Sequence, residues 1–385
     1  MGYGFNSLKK RRGENMTTKN WIVPYIELGT EAEAFRKDYL KAFEQVLVSG
    51  HYILGPELSN FEKEFADFCQ SPNALGVATG TDALYLALKA LNLKEENEVI
   101  TAPNSFIASA SSIALAGAKP AFVDIREDGN MDPERLESAI NAHTKVIMPV
   151  HLTGRPARMP EILEIANKYN LFVLEDAAQA IGARLNDKRV GSWGDAACFS
   201  LHPLKNLKAI GDGGMITTKH VDLYNKLKIA RNHGLINREQ CDFWSYNSRL
   251  DELQASLLRI QIRQLEAHTE ARRELALRYN QLLKPYVVTP DEGPGEYCVY
   301  QTYVILAEKR DILQQHLIDN GVQALVHYAT PIHLQPAAKY LGYTTADFPK
   351  TMKHVNHIMS LPIYPSMTHQ QQDTVVELIH DFYKN

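Results

Sequence analysis

The sequence has no long apolar run and no excess of charge of either sign. None of its hydrophobic stretches approaches the roughly 20 residues that a transmembrane helix needs. Its 41 lysine and arginine residues stand against 45 aspartate and glutamate residues. This balance of charge therefore does not indicate a protein that binds nucleic acid or an anionic membrane. We expect its partners to be small molecules or a second copy of itself.

Cysteine is also scarce, with only four among 385 residues. The four are far apart and form no CxxC pair, which is typical of a reducing cytoplasm. The 14 histidines show neither an HExxH motif nor Cys/His ligand spacing, so no metal site is predicted. Residues 1–20 include a basic cluster but lack the apolar segment of a signal peptide. We expect them to be a disordered leader.

The rest of the chain predicts an α/β fold. Two amphipathic helices, the first near Glu31–Val48, precede a region from Ala74 in which short apolar runs alternate with helical stretches. That alternation predicts a mostly parallel sheet sandwiched by helices. From Leu250 the leucine spacing predicts a long helix with a possible break, and mixed strands and helices follow. We expect a large domain over residues 21–265 and a smaller α+β domain over 266–385.

Two of the predicted strands lead into groups that can bind an anion or a ring. In GVATGTDAL the chain passes through Gly80-Thr81 into a helix, where free backbone N–H groups and the Thr81 hydroxyl can bind an anion. In ITAPNSF, Phe106 lies just past the end of the next strand. Taken singly, an ordinary helix cap and a core aromatic have the same patterns. Their meaning depends on what else lies at this edge of the sheet.

Two further strands end in ionisable groups. The run LFVLEDAAQA ends in Asp176, and Gln179 follows on the same side of a helical turn. A carboxylate at the end of a buried strand needs a positive partner. The run AACFSLHPLK ends its strand at Ser200 and reaches Lys205. Because ligands of such sheets bind outside the carboxyl ends of the strands, we expect these groups to meet there.

Pyridoxal phosphate (PLP) is a coenzyme that needs this whole set of groups. It requires an amine for its aldehyde, an acid for its ring nitrogen, a flat group over the ring, and donors for its phosphate. At an effective dielectric constant of 20, a carboxylate about 4 Å from the ring nitrogen favours the protonated ring by about 4 kcal/mol. We assign that acid to Asp176.

Five motifs occur in order and together resemble the DegT/DnrJ/StrS family of sugar aminotransferases, which are PLP enzymes of fold type I. They are GTDAL, EDAAQAIGA, GSWGDAACFSLHPLKNL, GDGGMI and NSRLDELQA. The resemblance extends from ILGPEL at Ile53 to VHYATPIHLQPA, which ends at Ala338. Several long motifs in series are more specific than any one of them. The resemblance implies that residues 21–265 form the PLP-binding domain.

The resemblance also implies roles for individual residues. Lys205 forms the aldimine with PLP and then moves the proton of the 1,3-shift, with pyridoxamine phosphate as an intermediate. Asp176 pairs with the ring nitrogen, Gln179 contacts the ring hydroxyl side, and Phe106 stacks on the ring. The implied phosphate ligands are Gly80, Thr81 and Ser200.

Other roles concern a second subunit and the sugar. The family is dimeric, and Asn247 occupies the place of an asparagine that reaches the partner's phosphate. Arg249 in the same loop orients a substrate or helps to build the dimer. Tyr328 and His333 lie in a segment that the family uses near the sugar. No role is assigned to His202.

The implied reaction moves an amino group from an amino acid, with L-glutamate expected, to a nucleotide-linked keto-deoxysugar of polysaccharide or O-antigen biosynthesis. NSRLDELQ favours reaction at C3 over C4. One alternative is a pyridoxamine-phosphate-dependent sugar dehydratase, in which histidine replaces the lysine at position 205. The other is a non-catalytic regulatory protein of the same fold, against which the balanced charge and the lack of a helix-turn-helix segment argue.

Overall fold

The computed structural model describes residues 21–384, so the leader predicted over residues 1–20 lies outside the described residues. The helices are α1 (Leu28–Ser49), α2 (Pro56–Phe68), α3 (Gly80–Ala90), α4 (Ala108–Ala116), α5 (Pro133–Ala139), α6 (Met159–Lys168), α7 (Val221–Ala230), α8 (Glu252–Ile262), α9 (Leu265–Leu283), α10 (Arg310–Asp319), α11 (Pro349–His357) and α12 (His369–Lys384). The strands are β1 (Asn73–Val77), β2 (Glu98–Thr101), β3 (Lys119–Phe122), β4 (Thr144–Ile147), β5 (Phe172–Asp176), β6 (Arg184–Leu185), β7 (Lys188–Arg189), β8 (Ala196–Ser200), β9 (Gly214–Thr218), β10 (Glu296–Tyr297), β11 (Tyr303–Leu306) and β12 (Ile358–Leu361).

A seven-stranded sheet in the order β1-β9-β8-β5-β4-β2-β3 organises the larger part of the molecule. Five neighbouring strands of this sheet pair in parallel, as β2 does with β3 and β4, β4 with β5, and β5 with β8. Strand β9 runs antiparallel to both β1 and β8. The connection from β8 to β9 contains no helix, and a parallel return needs a crossover. The predicted mostly parallel α/β sheet is confirmed.

The C-terminal part has its own hydrophobic core. Strands β11 and β12 form an antiparallel pair, and Tyr279, Tyr303 and Tyr364 are fully buried beside them. Val23 packs in this core, and its amide donates to the Gly321 carbonyl at 3.1 Å. The first described residues thus pack on the C-terminal part, although the predicted boundary assigns them to the larger domain. The two domain ranges stay predictions.

Two further expectations can be compared with the structure. The long helix predicted from Leu250 is divided into α8 and α9, and the break falls at residues 263–264. In residues 21–384 we find no helix that combines the length and the apolar character needed to cross a membrane.

Candidate active site

A cleft of about 340 Å³ lies at the carboxyl ends of the parallel strands. Parallel strands bring their carboxyl ends to one edge of a sheet, so residues that are distant in sequence meet there. The cleft brings together most of the predicted site residues. Those that line it are Gly80, Thr81, Phe106, Asp176, Gln179, Ser200, Lys205 and Tyr328.

One end of the cleft is the N-terminus of α3. Thr79 caps this helix, because its hydroxyl accepts a hydrogen bond from the Asp82 amide at 2.9 Å. A Cβ atom on Gly80 would lie 2.7 Å from the Cβ of Ser200, so only glycine lets the helix begin against the end of β8. The free N–H groups of the first turn and the Ser200 hydroxyl are therefore adjacent. Such an end binds phosphate well.

Asp176 is the buried acid of the cleft, with 4% of its surface exposed. Its Oδ2 accepts a hydrogen bond from the Ser109 hydroxyl at 2.7 Å, and its Oδ1 accepts one from the Ala178 amide at 3.2 Å. Burial raises the pKa of the Asp176 carboxyl, although these two bonds and the charge of Lys205 oppose the rise. A carboxylate has about four acceptor positions, so Asp176 can accept a further donor from a ligand.

Lys205 lies in the turn that follows β8, where its amide donates to the His202 carbonyl at 2.8 Å. Burial lowers the pKa of the Lys205 amine to about 8, although the charge of Asp176 opposes the fall. At pH 7 roughly a tenth of this amine is neutral, far more than for a solvated lysine. A neutral amine is the nucleophilic form.

The remaining cleft residues are suited to hold a planar ring. Gln179 accepts a hydrogen bond from the Thr153 amide at 2.7 Å through its Oε1, which leaves its amide group as the donor. Phe106 is 48% exposed, and its ring centroid lies 5.5 Å from that of Tyr328. It is therefore not a core aromatic, which was the alternative reading of ITAPNSF.

Three predicted site residues lie outside this cleft. Asn247 is exposed, and Arg249 donates to the Asn232 side chain at 2.9 Å. Their loop is tied to the same chain by Ser248, whose hydroxyl donates to Asp82 at 2.7 Å. His333 is buried, and its ring centroid lies 4.8 Å from that of Phe348.

Other residues of the cleft were not predicted. Tyr25 and His327 line it together, with ring centroids 5.6 Å apart. Burial lowers the pKa of the His327 imidazole to about 4, and Lys205 adds to this effect, so the ring is neutral. The closely spaced serines of NSFIASASS were the available signal for two more cleft residues, Ser105 and Ser109.

A second buried carboxylate, Glu175, lies directly before Asp176 and is fully enclosed. It accepts hydrogen bonds from the amides of Gly191, Trp193 and Gly194 at 2.8–2.9 Å. Its Oε2 also lies 3.0 Å from Nε2 of His151. Because the other ring nitrogen of His151 accepts from a backbone amide, Nε2 carries the proton and donates to Glu175. The amide of the same histidine donates to the Asp176 carbonyl at 3.0 Å.

The sheet order and the lysine-bearing cleft define an aminotransferase of fold type I. Two solved structures share the fold. One is S. venezuelae DesV in complex with a ketimine intermediate, with a TM-score of 0.92 and 37% identity over 94% of this chain and 99% of that chain. The other is NtdA from Bacillus subtilis with bound PMP, with a TM-score of 0.86 and 32% identity over 94% of this chain and 85% of that chain.

The particular family follows from the sequence comparisons. Residues 33–380 match the DegT/DnrJ/EryC1/StrS aminotransferase family, and the chain belongs to this family. A dTDP-3-amino-3,6-dideoxy-alpha-D-galactopyranose transaminase from Aneurinibacillus thermoaerophilus is 40% identical over 94% of this chain and 99% of its own length. A protein named pleiotropic regulatory protein, from Geobacillus stearothermophilus, is 41% identical over 94% of this chain and 99% of its own length. The resemblance drawn from the motifs is confirmed.

Proposed function

We propose that this chain is a PLP-dependent aminotransferase that moves an amino group from L-glutamate to C3 of a nucleotide-linked keto-deoxysugar. The observation that carries the proposal is the pair formed by Lys205 and Asp176. A lysine with its pKa lowered to about 8 lies beside a buried carboxylate, in a cleft that ends at a helix N-terminus. Perturbed titratable groups that converge in a cleft are typical of catalytic sites.

The residues of the cleft fit PLP. The open first turn of α3, which is accessible because residue 80 is glycine, and the Ser200 hydroxyl would hold the phosphate. Asp176 retains acceptor capacity for the ring nitrogen, and Gln179 presents an amide donor to the ring hydroxyl side. Phe106 would cover the ring. When bound, the coenzyme supplies an electron-withdrawing ring that stabilises negative charge at the donor's Cα.

Lys205 has two roles in the proposed reaction. Its neutral Nζ would hold the coenzyme in the resting enzyme. When free, Nζ would take the proton from the donor's Cα as a general base and return it to the coenzyme side as a general acid. A pKa near the working pH suits both directions of proton transfer. Asp176, in its ionised form, would keep a positive charge at the ring nitrogen.

The choice of substrate rests on the relatives. The Aneurinibacillus transaminase is named for a 3-amino sugar linked to dTDP, which supports amination at C3. We assign Tyr328, which lies beside Phe106 in the cleft, to the sugar side. His333 is buried and does not line the cleft, so we assign it to the support of that segment. All four cysteines lie among the described residues and are free, in keeping with a cytoplasmic enzyme.

We further propose a homodimer with shared sites. Asn247 is exposed and lies outside the cleft of its own chain, as expected for a residue that serves a partner. Arg249 lies two residues further on in the same loop and would contribute to the same partner site. The dimer would then complete each cleft from both subunits, as two-fold symmetry permits.

The decisive experiment is mass spectrometry of the products. Purified enzyme with PLP and glutamate is offered dTDP-, UDP- and GDP-linked 3-keto and 4-keto sugars. We expect an amino group in place of the C3 keto oxygen of one substrate, with 2-oxoglutarate formed in equal amount. A Lys205→Ala variant, as control, should give neither product.

The same assay distinguishes the alternatives. A dehydratase would release a deoxygenated keto sugar without consuming glutamate, and a regulatory protein would leave every sugar unchanged. Lysine at position 205 argues against the dehydratase. The name of the Geobacillus relative suggests regulation, but the intact set of cleft residues favours catalysis.

A further inference from the structure

Helix α4 contributes two fully buried serines, and one of them contacts Asp176. Ser109 and Ser112 are 1% and 0% exposed. A buried hydroxyl is found with a hydrogen-bond partner in nearly every protein, and the partner indicates what the hydroxyl does. The Ser109 hydroxyl lies 2.7 Å from Oδ2 of Asp176 and lines the cleft. The Ser112 hydroxyl donates instead to the backbone carbonyl of Ser109 at 3.2 Å.

A third serine extends the contact into a chain of hydroxyls. The Oγ of Ser105, which is 3% exposed, lies 2.9 Å from the Oγ of Ser109. An ionised carboxylate can only accept, so the single proton of Ser109 is committed to Asp176. Ser105 must then donate to Ser109. The chain therefore runs in one direction, from Ser105 through Ser109 to Asp176.

The series of serine hydroxyls stabilises the charge of Asp176 in a way that Lys205 and His151 do not. Lys205 is positive only in part of the relevant pH range, and it loses its charge when it acts as a nucleophile. The ring nitrogens of His151 are engaged elsewhere, because Nδ1 accepts from the Ala157 amide and Nε2 donates to Glu175. A serine hydroxyl does not titrate, so its hydrogen bond to the carboxylate persists through every protonation change in the cleft.

We propose that Ser109 is a positioning residue, which Ser105 orients and which keeps Asp176 ionised and directed toward the ring nitrogen of the coenzyme. The inference rests on the proposed function, because it assumes that Asp176 faces PLP. Ser109 fixes Oδ2 from one side, while the Ala178 amide fixes Oδ1. The acceptor positions that remain free then face the cleft.

The test measures the dissociation constant of PLP for the apo protein, with each variant also compared by its thermal unfolding midpoint. Ser109→Ala removes a hydrogen bond to a charged group and should weaken PLP binding about tenfold. Ser105→Ala leaves Ser109 in place and should weaken binding about twofold. Ser112→Ala is the matched control from the same helix and should bind as the unmodified protein does. Asp176→Asn serves as the reference for full loss of the charge.

The outcomes separate this inference from the proposed function. If Asp176→Asn weakens binding and Ser109→Ala does not, Ser109 has no positioning role while the proposed function stands. If the unmodified protein does not bind PLP, both fail. An equal loss in Ser112→Ala would show a general effect of α4 packing and would overturn the inference. If Ser109→Ala does not fold, Ser105→Ala decides, and an unchanged dissociation constant in that variant rejects the proposal.

Discussion

Glu175 and Asp176 are adjacent buried carboxylates at the end of β5, yet their surroundings differ. Successive residues of a strand point to opposite faces, so the two side chains meet different parts of the protein. Glu175 accepts from three amides and from His151. Asp176 accepts from Ser109 and Ala178 and has acceptor capacity left beside Lys205. A buried charge that the protein satisfies completely is structural, and one left partly unsatisfied in a cleft is available to a ligand.

The largest expected effect is that of Asp176→Asn on catalysis. The substitution removes about 4 kcal/mol of stabilisation of a charged ring, so kcat/KM should fall about 10³-fold. Stability should change little, because the charge is buried and burial raises the pKa of this carboxyl. Steady-state kinetics with a coupled glutamate assay, and thermal unfolding, measure the two effects. Turnover near that of the unmodified enzyme would show that Asp176 has only a structural role.

Glu175→Ala should mainly reduce stability, whereas Asp176→Asn should mainly reduce catalysis. It leaves three amides, of which those of Gly191 and Gly194 are buried, and His151 without an acceptor, which we expect to lower the free energy of unfolding by about 3–5 kcal/mol. Denaturant unfolding of the apo protein measures this loss. An unchanged unfolding midpoint would remove the distinction between the two carboxylates.

The proposed dimer would make the cleft incomplete within one chain, and subunit mixing tests this proposal. A Lys205→Ala subunit still provides an intact Asn247 loop to its partner. An Asn247→Ala subunit retains Lys205 in its own cleft. When the two inactive variants exchange subunits, random assortment should restore up to about a quarter of the unmodified activity. Native mass spectrometry verifies the heterodimers. If they form without activity, Asn247 does not act across the interface.

A smaller effect concerns the pH dependence of PLP capture by the apo protein. Because the neutral amine reacts, the rate should rise with pH and level off above about 8. The charge of Asp176 opposes the fall in the pKa of Lys205, so Asp176→Asn should move this rise to lower pH. Glu175→Gln should leave it in place. Stopped-flow absorbance across the pH range measures the shift, and equal profiles for the two variants would contradict the assignment.

The same lysine predicts a dependence of stability on pH. The pKa of Lys205 is lowered from 10.5 to about 8 in the folded state, so the unfolded chain binds more protons between these values. Stability should therefore gain a contribution as pH rises from about 8 to 10.5. Lys205→Met should lack this contribution in denaturant titrations, and an identical pH profile in both proteins would mean that Lys205 is solvated.

The sequence predicted the sheet and brought eight of its site residues to the cleft, because strand ends depend on local patterns. Strand ends can be recognised from apolar runs, and Asp176 and Lys205 follow such runs directly. Contacts between distant segments could not be predicted in this way. Tyr25 meets His327 only in the folded chain, and the packing of Val23 on the C-terminal core has no local signal.

The antiparallel direction of β9 could not be predicted for a related reason. The length of its connection to β8 indicates neither a crossover nor a hairpin by itself. Asn247 and Arg249 present a different limit, because the role proposed for them is toward a partner subunit, which the contact of Arg249 with Asn232 in its own chain does not reveal.

The most direct test of the account is reductive trapping of the coenzyme. The enzyme is incubated with PLP, reduced with borohydride and digested, and the modified peptide is sequenced by mass spectrometry. We expect the label on Lys205, which burial equips for this role by lowering the pKa of its amine to about 8. Lys208 is a suitable internal comparison, because burial also lowers its pKa but its amine is paired with Glu31. A label on Lys208 or on Lys188 in place of Lys205 would contradict the assignment of the active site.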